Sequence, residues 1–128
     1  MDVTPLIRAD QQVIQSYANG VLKVSGVSYD HAIFVMPDAT LPWDVDAASH
    51  VNDLSLDHFK PMIKITNDID VLLLGCGNEM AFLPAPLRQG LKKENLSVDI
   101  MDTGAACRTY NVLMAEGRRV ACALLPSI

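Results

Sequence analysis

Asp70-Val71-Leu72-Leu73-Leu74-Gly75-Cys76-Gly77 is the stretch whose reading decides the fold of this chain. An aspartate introduces a run of Val and Leu, and Gly-Cys-Gly ends it. A short run that is apolar at every position, with no alternation, marks a strand covered on both faces. The residues beyond it keep the same theme. Pro84 and Pro86 introduce a helix over roughly 85–94, with Leu87 and Leu91 one turn apart on its buried face. Residues 97–101 (Ser-Val-Asp-Ile-Met) alternate as a strand does. Asp102 or Thr103 can cap the next helix, which Gly117 ends, and Val120 to Leu125 is a last strand stopped by Pro126. This order and spacing predict an α/β fold, a parallel sheet wound with crossover helices.

Upstream, Val13–Tyr17 and Val21–Val24 flank Asn19-Gly20, a pair suited to the positive φ angles of a tight hairpin turn. A second turn around Gly26 leads to a strand over 31–36 that Pro37-Asp38 stops. The first third therefore reads as a small antiparallel β unit. Residues 37–53 read as a loop anchored by Trp43, with Trp43 a core residue in preference to a contact patch. Ser55 can cap a helix whose length Pro61 limits, so that helix is short, kinked or begins later. Residues 1–11 are expected to form a loose N-terminal arm on a single domain of 1–128.

A chain of 128 residues, half hydrophobic and one-fifth charged, supports one core and argues against disorder. The net charge of −5 argues against a nucleic-acid surface, because Lys and Arg cluster only at Lys92-Lys93 and Arg118-Arg119. Cys76, Cys107 and Cys122 are odd in number and lack C-x-x-C spacing, which points to reduced thiols in a cytosol-like compartment. His31, His50 and His58 show no metal-ligand spacing, so no metal site and no cofactor are expected. No apolar run approaches the ~20 residues of a membrane helix, and the N-terminus shows no signal-peptide pattern. A cytoplasmic location follows as the expectation.

Gly75-Cys76-Gly77 invites a dinucleotide reading, but the third glycine of that fingerprint would fall on Met80. A tight turn with close backbone approach is the better account. The loops after two parallel strands should meet at one edge of the sheet, which gathers Gly75, Gly77, Asn78, Glu79, Asp102 and Thr103 around one crevice. On the helix after Asp102, the apolar face is Ala106, Cys107, Tyr110, Leu113 and Met114. Gly104, Arg108, Asn111 and Ala115 fall on the other side, where small residues permit close approach by another chain or a ligand. Arg108 there could pair with Asp102 or Glu79, or stay free for a partner. Cys76 is the only candidate nucleophile by position, and no histidine is paired with it by spacing. No catalytic residue is assigned.

The block Val71–Gly77, then Phe82-Leu83-Pro84, then Met101-Asp102-Thr103 with Ala106-Cys107-Arg108-Thr109-Tyr110-Asn111, resembles a conserved domain of unknown function. Its relatives include the mitochondrial complex I assembly factor (NADH dehydrogenase alpha-subcomplex assembly factor three) and an adipogenesis-associated protein. The resemblance runs from the Asn19-Gly20 hairpin to the last strand. It implies a three-layer α/β fold with a central mixed sheet, and it carries no catalytic residues. Cys76 departs from the smaller Thr or Ser expected there. The function implied is a non-enzymatic binding or assembly factor with another protein as partner. The alternative is a small-molecule binder or enzyme using the crevice near Gly75 and Asp102.

Overall fold

The computed structural model describes residues 11–46 and 50–126, so the arm expected at 1–11 lies, Gln11 apart, outside the described residues. The order is β1 (Ile14–Ser16), β2 (Leu22–Val24), β3 (Val27–Tyr29), β4 (Ile33–Met36), β5 (Ala39–Pro42), α1 (Lys60–Ile63), β6 (Val71–Cys76), α2 (Ala85–Lys93), β7 (Val98–Met101), α3 (Thr103–Ala115) and β8 (Val120–Leu125). The strands make two sheets. One is the antiparallel β1-β2-β3, and the other runs β5-β4-β8-β6-β7.

In the larger sheet β6 lies parallel to both β7 and β8, whereas β4 is antiparallel to β8 and β5. The sheet is therefore mixed. The chain moves outward from β6 to β7 through α2, then returns past β6 to β8 through α3. Right-handed crossovers in opposite directions must use opposite faces of the sheet. They do so here: α2 packs with Leu72, Leu74, Ala121 and Ala123, and α3 with Leu73, Val120, Cys122 and Leu124. Alternate residues of the same strands thus feed two cores. The small antiparallel sheet lies beside α3, adding Ile14, Leu22 and Val24 to that core.

Both early turns have positive φ at their central residues, Asn19 (60°) with Gly20 (75°) and Ser25 (46°) with Gly26 (86°). Two-residue turns of this hand match the twist of paired strands. The second turn joins β2 to β3, so the strand over 31–36 does not belong to the antiparallel unit as expected. It is β4 of the main sheet. Pro37-Asp38 does not simply stop it but turns the chain into β5, with Met36 opposite Ala39. Pro42 is tolerated because β5 is an edge strand. Trp43 is a core residue: its indole N–H donates to the His58 carbonyl at 2.8 Å, and its ring lies 5.1 Å from Phe34 and 5.5 Å from Phe59. The helix expected after Ser55 is short: one 3-10 turn (Leu56–Phe59) leads into the four residues of α1. The Ser55 N–H donates to the His58 ring at 2.9 Å, a cap supplied by histidine.

At the amino edge of the sheet, Arg119 donates to Asp70 at 2.6 Å and to the Asn67 carbonyl at 3.0 Å. That hydrogen bond holds the exposed Asp70 carboxyl below its ordinary range.

All three cysteines are buried and unpaired. Burial pushes the Cys107 thiol up to about 12 and raises Cys122 well above its ordinary value. Thiolate is the reactive form, so both thiols are protonated and inaccessible near pH 8. A polar disulfide reagent is expected to label Cys107 and Cys122 only at the rate of unfolding, and all three cysteines at once in denaturant. Fast labelling of both in the native protein contradicts this packing.

Candidate functional site

The carboxyl ends of β6 and β7 lie side by side, and the chain leaves them toward opposite faces. Open α/β sheets place ligand crevices at such a point. Of the residues expected there, Gly75, Gly77 and Thr103 meet. Thr103, wholly buried, donates its backbone N–H to the Gly77 carbonyl at 2.9 Å. Its hydroxyl accepts the Gly77 N–H at 2.9 Å and donates to the Leu125 carbonyl at 2.6 Å. Asp102 caps α3 by accepting the Ala105 N–H at 2.9 Å.

Gly75 explains how the helix comes so close. A Cβ on it would sit 2.9 Å from Leu124 Cδ2 and 3.0 Å from both Cα and Oγ1 of Thr103. Gly77 has φ of +100°, which a side-chain-bearing residue rarely adopts. These glycines serve close approach and a turn. Of the donors an anion could use there, the N–H groups of Gly77, Thr103 and Ala105 are engaged within the chain. Cys76 fits the same pattern: its thiol donates to the Glu79 carbonyl at 3.2 Å, and burial raises it away from the reactive thiolate.

Asn78 and Glu79 stand exposed on the segment leaving β6. Two apolar residues there are exposed as well, Met80 at 55% and Phe82 at 85%. Nothing in the binary pattern of the sequence singled them out, although an apolar residue between Glu79 and Pro84 with no strand or helix to carry it was a usable signal.

Arg108 and Asn111 lie on α3, and the chain that approaches them is this one. Asn111 accepts the Ile14 N–H at 3.0 Å and donates to the Ile14 carbonyl at 2.8 Å, in effect adding itself to β1. The Arg108 Nη1 donates to the Tyr17 hydroxyl at 2.7 Å, with the guanidinium 5.9 Å from the ring centre. The carboxylates Asp102 and Glu79 are not its partners among the described residues. Gly104 is buried beneath Tyr17, where a Cβ would meet the ring at 2.9 Å. Tyr110, on the neighbouring face, donates to the Gln12 carbonyl at 2.9 Å, and burial raises its phenol. Of this group only Arg108 remains largely in solvent.

Two cavities lie elsewhere. One of about 510 Å³ opens at the opposite, amino end of the sheet among Met36, Met62, Ile65, Ile69 and Met114. The other, about 430 Å³, lies between α2 and β7. Among the described residues no group of His, Cys, Asp and Glu is arranged to hold a metal. No helix there is long and apolar enough to cross a membrane.

Fold and site define a mixed α/β domain whose strand ends are tied together through Thr103. The chain belongs to the family described as protein of unknown function (DUF498/DUF598), whose model matches residues 14–125. It is 31% identical to an uncharacterised protein of Rhodobacter capsulatus, over 88% of this chain and 83% of that one. It is 34% identical to NADH dehydrogenase [ubiquinone] 1 alpha subcomplex assembly factor 3 of Danio rerio, over 89% of this chain and 64% of that protein. The match thus spans less than two-thirds of that assembly factor. A crystal structure of a Bordetella parapertussis protein is similar with a TM-score of 0.79 and 34% identity, covering 91% of this chain and 96% of that one.

The two α3 side chains should separate in a stability measurement. Asn111→Ala strips the Ile14 N–H and carbonyl of their partner, at a cost of about 1–3 kcal/mol. Arg108→Ala removes an exposed contact of the kind worth about 0–1 kcal/mol. Urea unfolding of both variants checks the order, and equal losses contradict it.

Proposed function

We propose that this chain is a non-enzymatic binding protein that helps a larger protein complex assemble, acting in the cytoplasm on another protein. The observation that carries the reading is the pairing of a hydrogen-bonded strand edge with an exposed apolar segment beside it. Thr103 and Gly77 hydrogen-bond each other, Thr103 also reaches Leu125, and Asp102 caps α3, while Phe82 and Met80 stand out from the adjoining segment. Full burial of a phenylalanine stabilises by about 1.5–3 kcal/mol, and folding leaves that gain unused at Phe82. A protein partner can use it. On this reading Gly75, Gly77, Asp102 and Thr103 fix the edge. Asn78, Glu79 and Arg108 present polar groups around it, and Asn111 holds the α3 face in place. The names of the assembly factor 3 relatives support an assembly role and suggest NADH dehydrogenase as the complex.

The test is genetic and then structural. Cells lacking the gene should show less assembled NADH dehydrogenase on native gels, restored by the wild-type gene. Phe82→Ser and Arg108→Ala proteins should melt within a few degrees of wild type yet restore little of it. Full assembly without the gene, or full rescue by both variants, contradicts the proposal.

A further inference from the structure

The cavity between α2 and β7 adjoins a free sheet edge. Among the described residues, β7 ends the strand order of the larger sheet and pairs with β6 alone. The Leu72 N–H donates to the Ser97 carbonyl at 2.8 Å, so the main-chain groups of Ser97 face β6. Alternation along a parallel ladder then turns the N–H and C=O groups of Val98 and Ile100 outward. An edge of this kind is a template for one more strand.

The cavity beside it has an apolar floor, including Leu91, Leu96 and Val98, and a cationic rim of Arg88 and Lys92. These two cations are one helical turn apart on α2, both exposed, and neither is paired with a carboxylate among the described residues. Asp99 does not offset them: it lies opposite Leu73 in register, a residue of the α3-side core, whereas Val98 packs on the α2 side. In a chain of net charge −5 this is a local concentration of positive charge beside free backbone donors and acceptors.

We propose that the β7 edge and this cavity receive an extended, acidic segment of a protein partner as an added strand. Main-chain pairing with Val98 and Ile100 would hold the segment, an apolar side chain would enter the cavity, and flanking Asp or Glu residues would meet Arg88 and Lys92. The inference rests on the reading that the chain binds a protein, but it uses a surface distinct from the Phe82 segment. The charge pair selects an acidic segment over a neutral one and over nucleic acid, whose phosphates would find two cations only.

The probe is a display library of random nine-residue linear peptides selected on the full chain, with one enriched peptide then synthesised. Enriched sequences should carry Asp or Glu beside alternating β-branched residues. Binding should fall at least tenfold with Arg88→Glu plus Lys92→Glu, both surface changes. The amide signals of Val98 and Ile100 should shift on binding. N-methylation of the peptide along the edge facing β7 should abolish binding, while methylation of the opposite edge is tolerated. The inference is overturned by the absence of enrichment, by enriched peptides without acids, by unchanged binding to the double variant, or by a methylation pattern indifferent to edge. It is also overturned if a second copy of the chain occupies the edge, seen as a dimer protecting those two amides. Normal assembly in cells without the gene defeats the function proposed above without touching the peptide result. A lost assembly phenotype together with a failed peptide selection defeats only the present inference.

Discussion

The buried hydroxyl of Thr103 is the constraint on which the carboxyl edge of this fold depends. It joins the turn after β6 to the end of β8, while the backbone N–H of Thr103, at the start of α3, returns to the Gly77 carbonyl. Three elements distant in sequence are thereby tied at one point that water does not reach. In such a place a hydrogen bond gains little over its hydrated alternative, but a missing partner costs the full desolvation of the group left behind. Gly75 is the companion requirement, since any Cβ there would press on Thr103 and Leu124. The close approach and the polar clip need one another.

The clip also bears on what the site can do. A strand-end crevice in an α/β sheet binds anions when helix N–H groups point into it unfilled. Here Asp102 takes the Ala105 N–H, and Thr103 takes that of Gly77. Those two N–H groups are spent on architecture. What the edge offers outward is the exposed pair Met80 and Phe82, and farther along α3 the guanidinium of Arg108 resting on Tyr17. The face of α3 that small residues leave open is covered by the chain itself, through Ile14 on Asn111 and Tyr17 on Gly104.

The second half of the fold was legible because local signals there agree with one another. The apolar run at 71–74, the prolines that open α2, the Asp102 cap and Gly117 all say the same thing at short range, and β6, α2, β7, α3 and β8 follow. The first half was less so. β5, Ala-Thr-Leu-Pro, carries little strand character of its own and exists because β4 offers it an edge. β4 itself read as part of the N-terminal hairpins, since no local pattern says that a strand will pair with β8 some ninety residues away. The partner of Arg108 was out of reach for the same reason. Periodicity gave the helix face but not the segment that would lie on it, although an asparagine amide in mid-helix is a hint that its side chain is engaged.

Whether a threonine clip organises this edge is decided by comparing Thr103→Val with Thr103→Ser in chemical unfolding. Valine keeps the shape and removes the hydroxyl, leaving the Gly77 N–H and Leu125 carbonyl without their partner. Serine keeps the hydroxyl. Valine should cost at least about 2 kcal/mol and serine about 1 kcal/mol, and only valine should speed hydrogen exchange at Gly77. A valine variant as stable as the serine variant, with Gly77 still protected, would contradict it.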